Sequence, residues 1–168
     1  AVSLPRLIGL ENEVATKVNE AMGTLNEKLG EVVAKSAVDL VISDPETDVR
    51  IVRAAETNLG DLCADAYRDQ SGADIAFVNG GGIRVKIAAG DITLNDILKV
   101  HPFGNALCVV EATGQQILDA LEWGSRVVPE ETGGFLQVSG LTYEIHTYIE
   151  SPRTADENGL FTGGAGEY

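Results

Sequence analysis

Between Leu7 and Leu29 the apolar residues Leu10, Val14, Val18, Met22, Leu25 and Leu29 recur three or four positions apart, with Glu13, Lys17, Glu20 and Lys28 on the other faces. That spacing predicts a helix with one buried stripe, stopped by Gly30. Residues 32–42 lean towards β structure and lead into a turn at Ser43-Asp44-Pro45. Glu56-Thr57-Asn58 then opens a second helix, its buried face expected at Leu59, Leu62, Cys63 and Ala66 and its end at Gly72. Residues 74–78 read as a short buried strand that runs directly into Asn79-Gly80-Gly81-Gly82-Ile83-Arg84.

Further along, Thr93-x-x-Asp96 and Thr113-x-x-Gln116 have the spacing of capping boxes. They predict a short helix ending near Val100 and a longer one carrying Ile117, Leu118 and Leu121. Between them, residues 105–112 form an apolar run expected to be a strand. Residues 130–134 are a polar turn, and residues 135–149 read as paired strands about Ser139-Gly140. The order is mixed α and β, without a repeat, and the tail Thr162-Gly163-Gly164-Ala165-Gly166 is the one low-complexity stretch.

Length and charge narrow the classes of function. A chain of 168 residues is one domain, for which size scaling gives about 8,000 Å² of folded surface and about 70% burial. Its 12 Lys+Arg against 26 Asp+Glu give a formal charge of −14. Such a surface repels phosphate backbones and anionic lipid, which argues against nucleic acid and membrane surfaces as partners. The apolar runs are too short to cross a bilayer, and the start at Ala1, without Met or a signal pattern, reads as a processed or excised segment. Cys63 and Cys108 lie in unlike contexts, so two buried small side chains are expected rather than a bridge or a zinc site.

Candidate chemistry centres on the glycine run. Three adjacent glycines between a strand and Arg84 let backbone N–H groups approach an anion, with the guanidinium as a fork for phosphate or carboxylate. A tight turn at a sheet edge would use the same glycines, and the run has neither Walker nor dinucleotide spacing. Arg50 and Arg53, ahead of the second helix, either complete an anion-binding concavity or pair with Asp48 and Glu56 on the surface. Phe103, in the turn His101-Pro102-Phe103-Gly104-Asn105, is either core or a face for stacking a base. His101 and His146 lack partners at metal spacing and read as surface or turn residues. No serine lies in a nucleophile elbow, Glu130 and Glu131 read as a solvated face, and no complete catalytic centre is visible.

In order and spacing, five segments resemble the C-terminal domain of the 5′-nucleotidase family: Arg53-Ala-Ala-Glu56-Thr57-Asn58-Leu59-Gly60-Asp61-Leu62, Asn79-Gly-Gly-Gly-Ile-Arg84, Gly90-Asp91-Ile92-Thr93, Pro102-Phe103-Gly104-Asn105 and Gly134-Phe135-Leu136-Gln137-Val138-Ser139-Gly140. That family includes UDP-sugar hydrolases and 2′,3′-cyclic-nucleotide phosphodiesterases. The resemblance covers roughly residues 30–149 and implies an α+β fold, a mixed β-sheet flanked by helices. Residues 1–29 are similar to the helix linking the two family domains, and residues 30–168 to the substrate-binding domain without its last part. The family's second stacking ring and ribose-binding Asp are not found, and Phe161 and Ala165 match them only superficially. The chain is therefore expected to be truncated at both ends.

What the resemblance implies is a division of labour. An N-terminal metallophosphoesterase domain, absent here, holds two divalent metal ions and catalyses, while this domain grips a nucleotide or nucleoside. By resemblance, Arg53 and Arg84 are arginines on the phosphate or ribose side, and Asn79 and Asn105 are amides that contact the base. Phe103 is one of two rings sandwiching the base, and Gly133 is a backbone contact beside it. Arg50 is a weaker candidate, one position out of register. No catalytic or metal-binding residue is expected in this chain, which alone should be inactive, and family members are mostly periplasmic, cell-wall or extracellular. The alternative is a free-standing nucleoside-binding or interaction module that keeps the fold without catalysis.

Overall fold

The computed structural model describes the backbone of residues 4–163 and the side chains of residues 12–163 apart from Thr24. The side chain of Leu10 in the first stripe and Gly164-Ala165-Gly166 of the tail lie outside that description. Helix α1 spans Leu4–Leu29. At its end the Gly30 N–H donates to the Asn26 carbonyl at 2.9 Å. Contrary to expectation, its stripe is not buried: Val14, Val18, Met22 and Leu25 are all exposed, Val18 by 52%. Periodicity reports that a helix has an apolar face, and whether anything covers that face is a tertiary matter.

Strand β1 (Val32–Ser36) pairs antiparallel with β3 (Gly90–Thr93). Helix α2 (Asn58–Ser71) starts where the Thr57 hydroxyl accepts the Gly60 N–H at 3.1 Å. It ends at Gly72, whose φ of 66° is the left-handed conformation in which a Cβ is strained. The buried face of α2 is Leu59, Gly60, Cys63 and Ala64, with Tyr67 half-buried, rather than the expected Leu62 and Ala66, which are exposed. Both faces are compatible with a 3.6-residue period. Burial of Ala64 decides between them, because a small side chain lets the helix approach the strand it covers.

Strand β2 (Ala76–Asn79) pairs antiparallel with β4 (Leu136–Ser139), partners far apart in sequence. Helices α3 (Leu94–Val100) and α4 (Gly114–Ser125) both begin with complete capping boxes, as their sequences predict. A short ladder of β5 (Thr154–Ala155) and β6 (Phe161–Gly163) closes the described chain. The architecture is mixed helix and strand, with its described strands in three small two-stranded antiparallel sheets flanked by helices. The core is Leu40, Val52, Leu59, Cys63, Ala64, Val78, Ile83, Ile87, Ile92 and Val100, which joins α2, β2, β3 and α3.

Two expected strands do not form. Residues 105–112 form no helix and belong to no ladder among the described residues, and Val109 and Val110 are exposed, the latter by 79%. A strand needs a partner for its backbone and its apolar face, and none lies against this one. Cys108, in the same segment, is therefore exposed rather than buried as expected, whereas Cys63 is in the core. Residues 141–149 do not return as a hairpin on β4, whose ladder partner is β2. Gly140, at φ 85°, turns the chain where a Cβ would lie 2.1 Å from the Asp74 carbonyl oxygen. The accessible surface is 11610 Å², well above the roughly 8,000 Å² of a compact chain this size. The uncovered faces of α1 and residues 105–112 contribute to the difference.

Candidate functional site

The site is built where β2 ends. Asn79 is its last residue, and Gly80–Gly82 form a single 3₁₀ turn. The Gly80 N–H donates to the Phe135 carbonyl at 2.7 Å and the Gly81 N–H to the Gly133 carbonyl at 3.0 Å. Two of the three glycine donors are therefore bonded to the protein's own backbone, which favours the tight-turn reading of the run over the anion cradle. Close packing explains the glycines instead. A Cβ on Gly80 would sit 2.0 Å from the Val52 carbonyl oxygen, and one on Gly81 would sit 2.9 Å from both the Cα and the carbonyl oxygen of Gly133. The run is the tight turn at a sheet edge, joining three segments of chain.

That turn carries the candidate side chains outward. The Asn79 Nδ2 donates to the Gly133 carbonyl at 3.2 Å, so this one oxygen receives both Asn79 and Gly81. The Arg84 Nη1 donates to the Gly81 carbonyl at 3.1 Å, and its guanidinium lies over the Phe103 ring at 5.7 Å from the centroid. Asn79, Gly133, Arg84 and Phe103 are thus linked through Gly81. Phe103 is not core, since it is 59% exposed in the turn after α3. Asn105 is exposed and makes no hydrogen bond among the described residues.

Arg53 is tied to the same turn through its backbone. It sits in the turn preceding α2, and its carbonyl accepts the Thr132 N–H at 3.0 Å, next to Gly133. Its Nε is buried without a hydrogen-bond partner. Arg50 is not available in the same way, because Nε and Nη2 hold both oxygens of Glu131 at 2.7 and 2.5 Å. Its partner is neither Asp48 nor Glu56, and Glu131 is part of this pair rather than a free solvated face. The Arg50 guanidinium holds the Glu131 carboxyl below the usual range, with Arg53 adding to the effect.

Sequence reasoning assigns no role to three further features. Gln137 is 2% exposed, yet its amide is fully engaged. Oε1 accepts the Thr57 N–H at 3.1 Å, and Nε2 donates to the Val52 and Ala55 carbonyls at 3.0 and 2.8 Å. His101 is half-buried rather than at the surface. Its Nε2 lies 3.3 Å from the Cys63 sulfur and its ring 5.8 Å from that of Tyr67. Burial lowers the His101 pKa, and it pushes the Cys63 thiol up to about 11. Beside β4, burial together with Glu56 and Asp65 raises Asp61 to about 6. An exposed polar residue after a strand is a visible signal for a site, whereas a buried Gln in an apolar strand is visible only as an exception to the pattern.

Along the rim formed by Asn79, Arg84 and Phe103 a guanidinium, an exposed ring and a side-chain amide lie together, a set suited to a ligand with a planar ring and an anionic group. The family model for the 5′-nucleotidase C-terminal domain matches residues 32–156, a span that contains Arg53, Asn79, Arg84, Phe103, Asn105 and Gly133. The chain belongs to that family. It is 43% identical over 129 residues to the trifunctional nucleotide phosphoesterase protein YfkN of Bacillus subtilis, covering 74% of this chain and 8% of that protein. It is 36% identical over 115 residues to protein UshA of Escherichia coli, covering 65% of this chain and 21% of UshA. This 5′-nucleotidase C-terminal domain superposes on the 5′-nucleotidase precursor of Thermus thermophilus with a TM-score of 0.69 and 32% identity, over 92% of this chain and 30% of that one. The NAD nucleotidase of Haemophilus influenzae, at TM-score 0.54 and 18% identity, shares the fold. The chain spans 8% to 21% of the length of these curated relatives.

Proposed function

We propose that this domain recognises a nucleotide for a phosphoester hydrolase of the 5′-nucleotidase type. The observation that carries the reading is Phe103, an exposed ring in a turn with the Arg84 guanidinium beside it. An exposed aromatic ring flanked by a cation is suited to stacking on a base. In this reading Phe103 supports the base, while Asn79 and Asn105 contact its edge. Gly133 adds its N–H, which donates to no described residue. Arg84 and Arg53 face the ribose and phosphate and supply charge-assisted contacts in an otherwise acidic chain.

Hydrolysis is assigned to an N-terminal metallophosphoesterase domain in cis, and the two divalent ions to that domain. Among the described residues of this chain no group of three or more His, Cys, Asp or Glu fits a metal ion. The role of the present residues is to bind and orient, and the domain by itself is expected to bind without hydrolysing. The names of the relatives, nucleotide phosphoesterase and 5′-nucleotidase, support the reaction class. Export from the cytoplasm is part of the same proposal, supported by the Thermus relative, which is a 5′-nucleotidase precursor. No described helix is long and apolar enough to cross a membrane.

The test is an NMR titration of the 168-residue chain with adenosine and with AMP. Saturable shifts centred on Phe103, Asn79 and Arg84 are expected, with Arg84 and Arg53 responding more to AMP. Shifts confined to other parts of the chain, or no saturable response to either ligand, would refute the assignment of this rim.

A further inference from the structure

Gln137 lies behind the proposed rim without touching its open side. Its Nε2 bonds the carbonyls of Val52 and Ala55, which bracket Arg53 in the turn before α2. Its Oε1 takes the Thr57 N–H, at the residue that caps α2. One amide therefore closes the segment 52–57 at three points, across more than 80 residues of intervening chain for the two bonds to Val52 and Ala55. The surroundings are shaped to admit it. A Cβ on Gly60 would lie 2.1 Å from Oε1, and a Cβ on Gly80 would lie 2.0 Å from the Val52 carbonyl oxygen that Nε2 holds.

Strand β4, which carries Gln137, pairs with β2 so that Val78 faces Gln137 and Asn79 faces Leu136. The amide thus ties the Arg53 turn to the ladder from which Asn79 and the glycine turn project. Arg53 contributes a further link in the same direction, through its carbonyl to Thr132 beside Gly133. Its own Nε is buried with no partner, so no side-chain hydrogen bond at that atom orients the guanidinium. The backbone on either side of Arg53 is what Gln137 holds.

We infer that Gln137 is the positioning residue for Arg53, setting the direction of its guanidinium towards the ribose and phosphate of a bound nucleotide. This rests on the nucleotide-recognition reading above. It assigns Gln137 an effect on ligand affinity that passes through Arg53 and leaves the stacking by Phe103 untouched, because no bond of Gln137 reaches the turn at Phe103.

A double-mutant cycle on the full 168-residue chain, read as AMP affinity by calorimetry, tests it. Gln137→Met keeps the length of the side chain and removes all three bonds. It is expected to weaken AMP binding by about tenfold or more, since small displacements of a binding group are costly. In an Arg53→Ala background the same change is expected to add almost nothing, and in a Phe103→Ala background its full effect persists. If Gln137→Met does not fold, Gln137→Glu, which keeps the Oε1 acceptor and leaves at most one carboxyl proton in place of the two amide donors, replaces it in the same cycle. Additive losses with Arg53→Ala, or unchanged AMP affinity in a folded variant, would overturn the positioning role while leaving nucleotide recognition intact. Arg53→Ala binding AMP as tightly as the unaltered chain overturns the role of Arg53 itself, and this inference with it.

Discussion

Gly81 and Gly133 stand back to back with no room for a side chain on the first and ample room on the second. A Cβ on Gly81 would approach the Cα and carbonyl oxygen of Gly133 to 2.9 Å, whereas a Cβ on Gly133 would meet the Gly81 Cα at an ordinary 3.8 Å. Gly81→Ala must push two backbone segments apart and is expected to destabilise the domain by about 1–3 kcal/mol. Gly133→Ala should stay within about 0.5 kcal/mol of the unaltered chain. Urea denaturation of the two variants checks the asymmetry, and equal losses would show that this contact does not set the requirement.

Phe103 separates binding from folding. Because its ring is largely exposed, Phe103→Ala removes little buried surface and should leave the unfolding midpoint nearly unchanged. If the ring stacks on a base, the substitution weakens adenosine binding by about 1–3 kcal/mol. Calorimetric titration of the folded variant measures it directly, and unaltered affinity removes Phe103 from the site.

Asp61 should make the domain more stable in mild acid than its charge count alone suggests. Its folded pKa is raised to about 6, by burial first and then by Glu56 and Asp65, against about 3.9 in an unfolded chain. A raised carboxyl pKa stabilises the folded state fully below the unfolded value, and that contribution is lost as pH rises through about 6. Asp61→Asn removes the charged form, so the variant should melt higher than the unaltered chain at pH above the folded value. The gain should shrink as pH falls towards the unfolded value. Melting curves across that window decide it, and a gain independent of pH would assign the effect to something other than this titration.

The two cysteines should react very differently. Cys108 is exposed in the unpaired segment, while Cys63 is buried against His101 with its thiol pushed up to about 11. Nucleophilic attack requires the thiolate, so iodoacetamide near neutral pH should label Cys108 and spare Cys63 until the domain unfolds. Peptide mass spectrometry before and after denaturant reads the outcome. Labelling of Cys63 in the folded chain would show that the contact between Cys63 and His101 opens readily.

Local sequence specifies whatever neighbouring residues decide among themselves. Thr57 and Gly72 bound α2, and the boxes at Thr93/Asp96 and Thr113/Gln116 start α3 and α4, because each cap is made between residues three or four positions apart. The candidate residues Arg84 and Phe103 stand out for a related reason: both are exposed at the ends of elements or in turns, where a guanidinium or a ring has no packing role to hide it. Tertiary structure alone decided the rest. The helical period of α1 is correct, yet its stripe is exposed, and the apolar run at residues 105–112 has no ladder, because both depend on a second surface that local pattern does not encode. The same holds for the glycine turn, whose N–H groups go to Phe135 and Gly133, and for Gln137, whose partners lie about 80 residues away. A hydrogen bond within one turn of chain is specified by spacing, whereas one between distant segments exists only once the β2–β4 pairing has brought them together.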